Sequence, residues 1–419
     1  MFKRLAITSA VLVALGVAVS GCEISINDNG IKGSGKIVNE KRDASNFEAI
    51  SNNSPFNVLL VADGKEGKNT VEVEGDDNFV REVETSVENG TLVIRNKRRG
   101  SVHFSWGHNP TTITVHVANI SKITNSGSGD VELRQLHSDK LEIVSEGPGD
   151  LQASGTANEL NFRATGSGDT NMRQLVVKKM TLEMTGPGDT ELGEVAQTMS
   201  ARLSGSGDLN VAKLRSEQTQ LSINGPGSIN LRGVTKNLEV EMSGSGDLSI
   251  DEIQADTTDI TMSGPGEANL VGETKQLKLK VSGSGNVDAS RLKVGSADIR
   301  NSGPGDLNFK VLKGNITIDL SGSGDFDADL ADADKVDLHA DGPGSVTLRG
   351  GAKKLNATLN GSGDLHASSL LLELASVKVN GPGEATVNVK AANAAAAEQS
   401  SIKNGSRLVT IDQNGVVKQ

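Results

Sequence analysis

Ser126-Gly127-Ser128-Gly129-Asp130-Val131-Glu132-Leu133 is the stretch whose reading decides the fold, because the chain keeps returning to it. A Gly-x-Gly opens at Gly127, Gly147, Gly166, Gly186, Gly205, Gly225, Gly244, Gly264, Gly283, Gly303, Gly322, Gly342, Gly361 and Gly381. The steps alternate between 20 and 19 residues, which gives a 39-residue period without an insertion. The middle residue alternates too, Ser in one corner and Pro in the next. A unit of this length cannot bury its own apolar face, so successive units must stack and share a core.

Between corners the apolar residues alternate with polar ones. Val131 and Leu133, then Leu141 and Ile143, set the pattern; Leu209, Val211, Leu221 and Ile223 repeat it. Period-two alternation marks short strands with one buried face, and no stretch within a unit carries a helical period. Each half-unit therefore reads as strand, turn, strand and Gly-x-Gly corner. The expected fold is all-β: a right-handed parallel β-helix (β-solenoid) of about fourteen coils of ~20 residues, a 39-residue double repeat, with a β-rich N-terminal cap. At ~4.8 Å per coil the rod would be roughly 65 to 70 Å long.

The corner asks for column-by-column reading. The glycines either take φ > 0 or lie where backbones approach too closely for a Cβ. Pro between them requires a site with no ladder N–H. The preceding residue is always a hydrogen-bonding one, Ser, Thr, Asn, Asp or Glu. The following residue is Asp130, Asp150, Asp169, Asp189, Asp208, Asp247, Asp306, Asp325 or Asp364, with Glu267, Glu384, Ser228, Ser345 and Asn286 filling the column. Stacked carboxylates repel by about 1 kcal/mol per neighbouring pair even in water. Backbone N–H groups bonded to the carboxylates would offset this, making the column a structural one. The competing reading is a calcium ladder. Calcium takes six to eight oxygens, whereas one carboxylate per coil is on offer, and the nine-residue spacing of calcium-binding repeats is absent.

The N-terminus carries an address. Met1-Phe2-Lys3-Arg4, an apolar run from Leu5 to Val19 and then Ser20-Gly21-Cys22 compose a secretory leader. Val19-Ser20-Gly21-Cys22 resembles the bacterial lipoprotein box, which implies lipidation of Cys22 and, with Glu23 after it, the outer membrane. The expected organisation is a leader over 1–21, a lipid-anchored tether over 22–46, and a β-rich cap with the first coils over 47–125. The repetitive solenoid then covers 126–390, and a linker with a C-terminal cap covers 391–419.

Composition narrows the chemistry. The net charge is −11, and −13 once Lys3 and Arg4 leave with the leader, which does not suit phosphate backbones; no nucleic-acid partner is expected. Cys22 is the single cysteine, so no disulfide forms within the chain. Eight Phe, one Trp and no Tyr leave few aromatic platforms for a ligand. The single Trp and two of six His fall in one stretch, so His103, Trp106 and His108 make a candidate binding loop. Its competitor is a long hairpin connection that packs Phe104 and Trp106 on the cap. No nucleotide loop, zinc motif or nucleophile elbow appears, so no catalytic residue and no small-molecule cofactor is assigned.

Phe47-Glu48-Ala49-Ile50, Asn57-Val58-Leu59-Leu60, Thr91-Leu92-Val93-Ile94 and Ile123-Thr124-Asn125-Ser126-Gly127-Ser128-Gly129-Asp130-Val131 together resemble the bacterial GIN domain, the "putative auto-transporter adhesin, head GIN domain" family. The resemblance covers about residues 45 to 250, and the same unit continues to about 390. It implies a β-helical fold on an extracytoplasmic bacterial protein, often a lipoprotein, and it transfers no catalytic or binding residue. No run of barrel strands follows the solenoid before Gln419, so lipid anchoring is expected in place of an autotransporter barrel. Three functions follow as expectations. The first is a non-enzymatic, lipid-anchored adhesin-like or scaffold rod with a protein or glycan partner. The second is a periplasmic ligand- or protein-binding accessory factor in envelope homeostasis, and the third a glycan-active β-helix enzyme. Whether the rod faces the periplasm or the cell surface is not written in the residues.

Overall fold

The structure, a computed structural model, describes residues 31–44, 46–62, 69–98, 104–105, 110–390, 406–412 and 415–418. It is a parallel β-solenoid. Each repeat contributes one strand of 14 or 15 residues, from Val131–Ser145 and Leu151–Ala164 through to Leu365–Val379. One coil is split, into Leu307–Leu312 and Asn315–Leu320, around Gly314 at φ 58°. The fourteen corners thus enclose about thirteen complete turns, one fewer than the corner count suggests, because the last corner leads only into the short strand Ala385–Lys390.

The strand–turn–strand reading of each half-unit also needs amending. The backbone bends mid-coil without leaving the sheet, and the bend appears as a register shift between neighbours, as between Leu133 and Leu136. Gly155, Gly233, Gly272 and Gly350 sit at these bends with φ from 94° to 138°, a region glycine occupies without strain. Successive strands pair in register, Val131 opposite Leu151 and Ile143 opposite Phe162. Like residues therefore stack in columns, and the inward columns form one core that runs the length of the rod.

The core is aliphatic, with Phe309 and Phe326 stacked at 5.9 Å between ring centroids. A few inward positions are polar and find each other. Ser216, Thr219 and Thr235 share hydroxyl hydrogen bonds of 2.6 to 3.2 Å, and Thr258 donates to Thr274 at 3.0 Å. Thr170 and Thr190, also buried, have no partner for their hydroxyls.

The non-repetitive region continues the rod in an order the chain does not follow. Ala49–Asn53 and Asn57–Ala62 pair in parallel with Lys122–Asn125 and Val131–Arg134, forming the layer beneath the first repeat. Thr91–Asn96 and Thr112–Val117 pair in parallel on the far side of that layer. Antiparallel strands then close the end: Val83–Glu88 against Thr91–Asn96, and Thr70–Asp76 against Thr112–Val117. The segment after Asp76 is one turn of helix, Asp77–Val80, and Val83–Glu88 is the strand that its β-branched valines favour.

Part of the stretch expected as a tether over 22–46 is strand. Ile37–Arg42 pairs antiparallel with Thr70–Asp76. Its side chains are mostly exposed, so it shows no apolar alternation; the strand forms because the edge of Thr70–Asp76 needs a backbone partner. At the other end, Ser406–Asp412 and Gly415–Lys418 add two antiparallel strands to Ala385–Lys390.

Candidate functional site

The Gly-x-Gly corners stack into one edge of the rod. None of these glycines takes positive φ; they are required by close approach. A Cβ on Gly246 would stand 2.0 Å from the carbonyl oxygen of Gly227, and one on Gly205 would stand 2.2 Å from that of Gly186. Every corner therefore rests directly on the backbone of the one before it.

The Asp column is bonded from coil to coil. The backbone N–H of Asp150 donates to Asp130 Oδ1 at 3.0 Å, that of Asp169 to Asp150 at 2.9 Å, that of Asp189 to Asp169 at 2.9 Å, and that of Asp208 to Asp189 at 2.8 Å. Further along, Glu267 N–H reaches Asp247, Asp325 N–H reaches Asp306, and Glu384 N–H reaches Asp364, each at 2.8 Å. The substitutes keep the bond with other acceptors: Asp247 N–H donates to Ser228 Oγ at 3.2 Å and Asp306 N–H to Asn286 Oδ1 at 2.9 Å. These N–H bonds to the Asp carboxylates are charge-assisted, and each is an attraction that counters repulsion from the neighbouring coil.

The column begins before the first Gly-x-Gly. Asp130 N–H donates to Asn57 Oδ1 at 3.0 Å, and a Cβ on Gly127 would meet the carbonyl of Ser54 at 2.0 Å. Ser54-Pro55-Phe56-Asn57 is thus a corner without glycine, one that the Gly-x-Gly pattern misses. Its signals were the central Pro and the amide that follows. Buried Asn52 serves this corner, taking the Ser54 N–H and hydroxyl on Oδ1 and donating to the Phe56 carbonyl. Asn125 and Asn301 repeat that role, donating to Gly129 and Gly305 at 3.1 and 2.7 Å.

A second polar ladder flanks the corners. Ser126 donates to Glu146, Asn360 to Asp341 and Asn380 to Asn360, at 2.6 to 2.7 Å. Elsewhere on the coils the sign alternates between neighbours, Lys236 beside Glu217 at 2.9 Å, Lys275 beside Asp256 at 2.7 Å and Lys353 beside Asp334 at 2.6 Å. The hydrogen bond that Lys236 donates to Glu217 raises the Lys236 pKa above its ordinary value, and the bond from Lys275 to Asp256 does the same for Lys275.

Where the Asp column meets the outer strand face at the N-terminal end lies a groove of about 760 Å³. Asp130, Asp150, Asp169 and Asp189 line one side, with Gln152, Asn171 and Asn210 on its floor. Its arginine, Arg134, is already engaged with Glu132 at 2.6 Å, and its Glu191 pairs with Arg173 at 2.8 Å. The hydrogen bond to Glu132 raises Arg134 further. The groove therefore presents acceptors and negative charge, a surface that suits hydroxyl or amide donors and cationic groups.

Among the described residues no three His, Cys, Asp or Glu side chains gather at metal-ligating distance. Within the column a coil supplies at most one carboxylate, and the Asp carboxylates there already accept a backbone N–H, so the donor set falls short of a calcium cage. His137, His339 and His366 stand on separate coils; His339 pairs with Asp341 at 3.1 Å. Cys22 lies outside the described residues, as do His103, Trp106 and His108. The short strand between those last residues, Phe104–Ser105, pairs in parallel with Ile31–Lys32.

Comparison with known proteins adds three findings. A family model described as "Putative auto-transporter adhesin, head GIN domain" matches residues 46–213, 157–240, 216–314 and 307–404. No curated protein matches the chain. Similar solved structures include a "putative adhesin" from Bacteroides fragilis NCTC 9343, at 17% identity and a TM-score of 0.34, spanning 71% of this chain and 100% of that one. Another "putative adhesin", from Parabacteroides merdae ATCC 43184, has 18% identity and a TM-score of 0.35, spanning 71% of this chain and 98% of that one. A "Putative lipid binding protein" from Parabacteroides distasonis ATCC 8503 has 15% identity and a TM-score of 0.22, spanning 84% and 98%.

Proposed function

Because the chain belongs to the family described as "Putative auto-transporter adhesin, head GIN domain", we propose that it is a non-enzymatic cell-envelope rod that holds a protein or glycan partner along its length. In this reading Cys22 carries the lipid that fixes one end to the membrane, and Glu23 directs it to the outer membrane. No helix among the described residues is long and apolar enough to cross a bilayer; in the proposed arrangement the attachment is the N-terminal lipid.

The observation that carries the proposal is the unbroken column of corners. A catalytic cleft on a β-helix needs a local break that brings acids and bases together. Here the same backbone contact repeats from Ser54 to Gly383. Such a surface offers many equivalent weak contacts rather than one deep site, which is the logic of avidity. The acidic groove beside Asp130 to Asp189 is the place where those contacts would be densest.

Protease shaving of intact and lysed cells, followed with an antibody to the rod, tests the location. Digestion on intact cells supports an adhesin at the surface. Protection until lysis would move the working face to the periplasm and overturn the adhesive reading.

A further inference from the structure

The described residues contain four Asn-Gly dipeptides, at 89–90, 224–225, 360–361 and 380–381. Chemically they are alike. The nitrogen of the glycine can attack the asparagine Cγ, expel ammonia and close a succinimide, which water then opens to aspartate or isoaspartate. The reaction needs a free glycine nitrogen and an asparagine side chain able to swing towards it.

Three of the four sites deny both. The nitrogens of Gly225, Gly361 and Gly381 donate to the carbonyls of Leu203, Ala340 and Leu359 at 3.2, 3.3 and 3.4 Å. Their asparagine amides are also held, Asn224 by Ser222 at 3.2 Å, Asn360 by Asp341 at 2.7 Å and Asn380 by Asn360 at 2.6 Å. Displacing either partner means opening a coil against both neighbours.

Asn89-Gly90 is built differently. It is the two-residue loop of the hairpin joining Val83–Glu88 to Thr91–Asn96, with φ 51° and 75° as a type I′ turn requires. Both residues are exposed; among the described residues the Gly90 nitrogen donates to no carbonyl, and nothing lies within 4 Å of where a Gly90 Cβ would stand. We propose that Asn89 is a site of spontaneous deamidation and isomerisation in the folded protein, and that the corner asparagines are protected by the solenoid.

The site matters to the cap. The Gly90 carbonyl accepts the N–H groups of Glu48 and Ala49 at 3.0 and 3.3 Å, where the chain enters its first layer. Isoaspartate inserts a methylene into the backbone beside those bonds, and either product adds a carboxylate next to Glu88. Conversion therefore loosens the entry to the cap as the protein ages.

The test is peptide mapping by mass spectrometry of the full mature chain held warm at mildly alkaline pH, with a parallel sample in concentrated urea. The folded protein should convert Asn89 about a hundredfold faster than Asn224, Asn360 or Asn380, while the four converge in urea. Hydrogen exchange on the aged sample should show faster exchange at Glu48 and Ala49, and Asn89→Gln should abolish that change. Corner asparagines converting as fast as Asn89 in the folded chain would overturn the proposal. So would an intact Asn89 in folded protein whose urea-treated counterpart reacts.

Discussion

Gly246→Ala puts the corner contact to its sharpest test. The new Cβ would lie 2.0 Å from the Gly227 oxygen and 2.8 Å from its carbonyl carbon, more than an ångström inside van der Waals contact. Neither partner is a flexible side chain, so the coil itself must move. That movement strains three bonds: Gly246 N–H to the Gly225 carbonyl at 3.0 Å, Asp247 N–H to Ser228 Oγ at 3.2 Å, and Ile229 N–H to the Asp247 carbonyl at 2.9 Å. At about 1 kcal/mol each, the cost is about 3 kcal/mol. Gly90→Ala is the control, since φ 75° is strained for alanine but no atom stands near; it should cost about 1 kcal/mol. A long repeat array need not unfold in one step, so the assay is hydrogen exchange read locally. Gly246→Ala should speed exchange across Gly225 to Asp247 and leave the distant coils alone. Equal and small effects from the two substitutions would refute the close-approach argument.

Four other outcomes follow. Asp189→Ala should destabilise by about 1 kcal/mol, because the Asp208 N–H loses its acceptor, whereas Asp189→Asn keeps an oxygen there and should be near neutral; thermal melting separates them. Thr170→Val and Thr190→Val should each stabilise by about 1 kcal/mol, since each removes a buried hydroxyl with no partner, and a fall in melting temperature would count against that accounting. Deleting residues 166–204 removes one 39-residue unit and rejoins Thr165 to Gly205 in phase; small-angle scattering should show a folded rod about 10 Å shorter. The hydroxyl and N–H of Ser290 lower the Asp288 carboxyl below its usual range, so its contribution is complete above about pH 4 and lost as pH falls through the lowered value. Asp288→Asn should therefore soften acid denaturation and leave stability at neutral pH almost flat with pH.

Much of the rod was legible because one physical constraint recurs. A backbone-to-backbone contact admits only glycine, so Gly127 to Gly383 print the coil count directly into the sequence, offset by one at the end. The inward residues printed equally well, since period-two alternation survives the mid-coil bend. The bend itself was harder to see: Gln135, Glu252 and Asp332 take positive φ there beside Gly155 and Gly233, so no single residue type marks it.

The first layer escaped for a related reason. At Ser54-Pro55-Phe56 the neighbouring backbone lies on one side only through Gly127 and Gly129, and those two glycines relieve the contact for both partners. Ile37–Arg42 carries no strand signal in its sequence, because an edge strand is held by backbone pairing, which leaves no apolar trace. The groove is beyond any sequence pattern, since Asp130 and Asn210 meet only through four coils of stacking.

The central claim is that the working surface is the length of the rod and not a single site. Adherence of cells to gelatin- and mannan-coated surfaces, compared for the full chain, the chain lacking 166–204 and a chain lacking two such units, tests it most directly. The account predicts a graded fall in adherence as units are removed, with surface abundance unchanged. Unaltered adherence after both deletions, or complete loss from one groove substitution in a full-length rod, would contradict it.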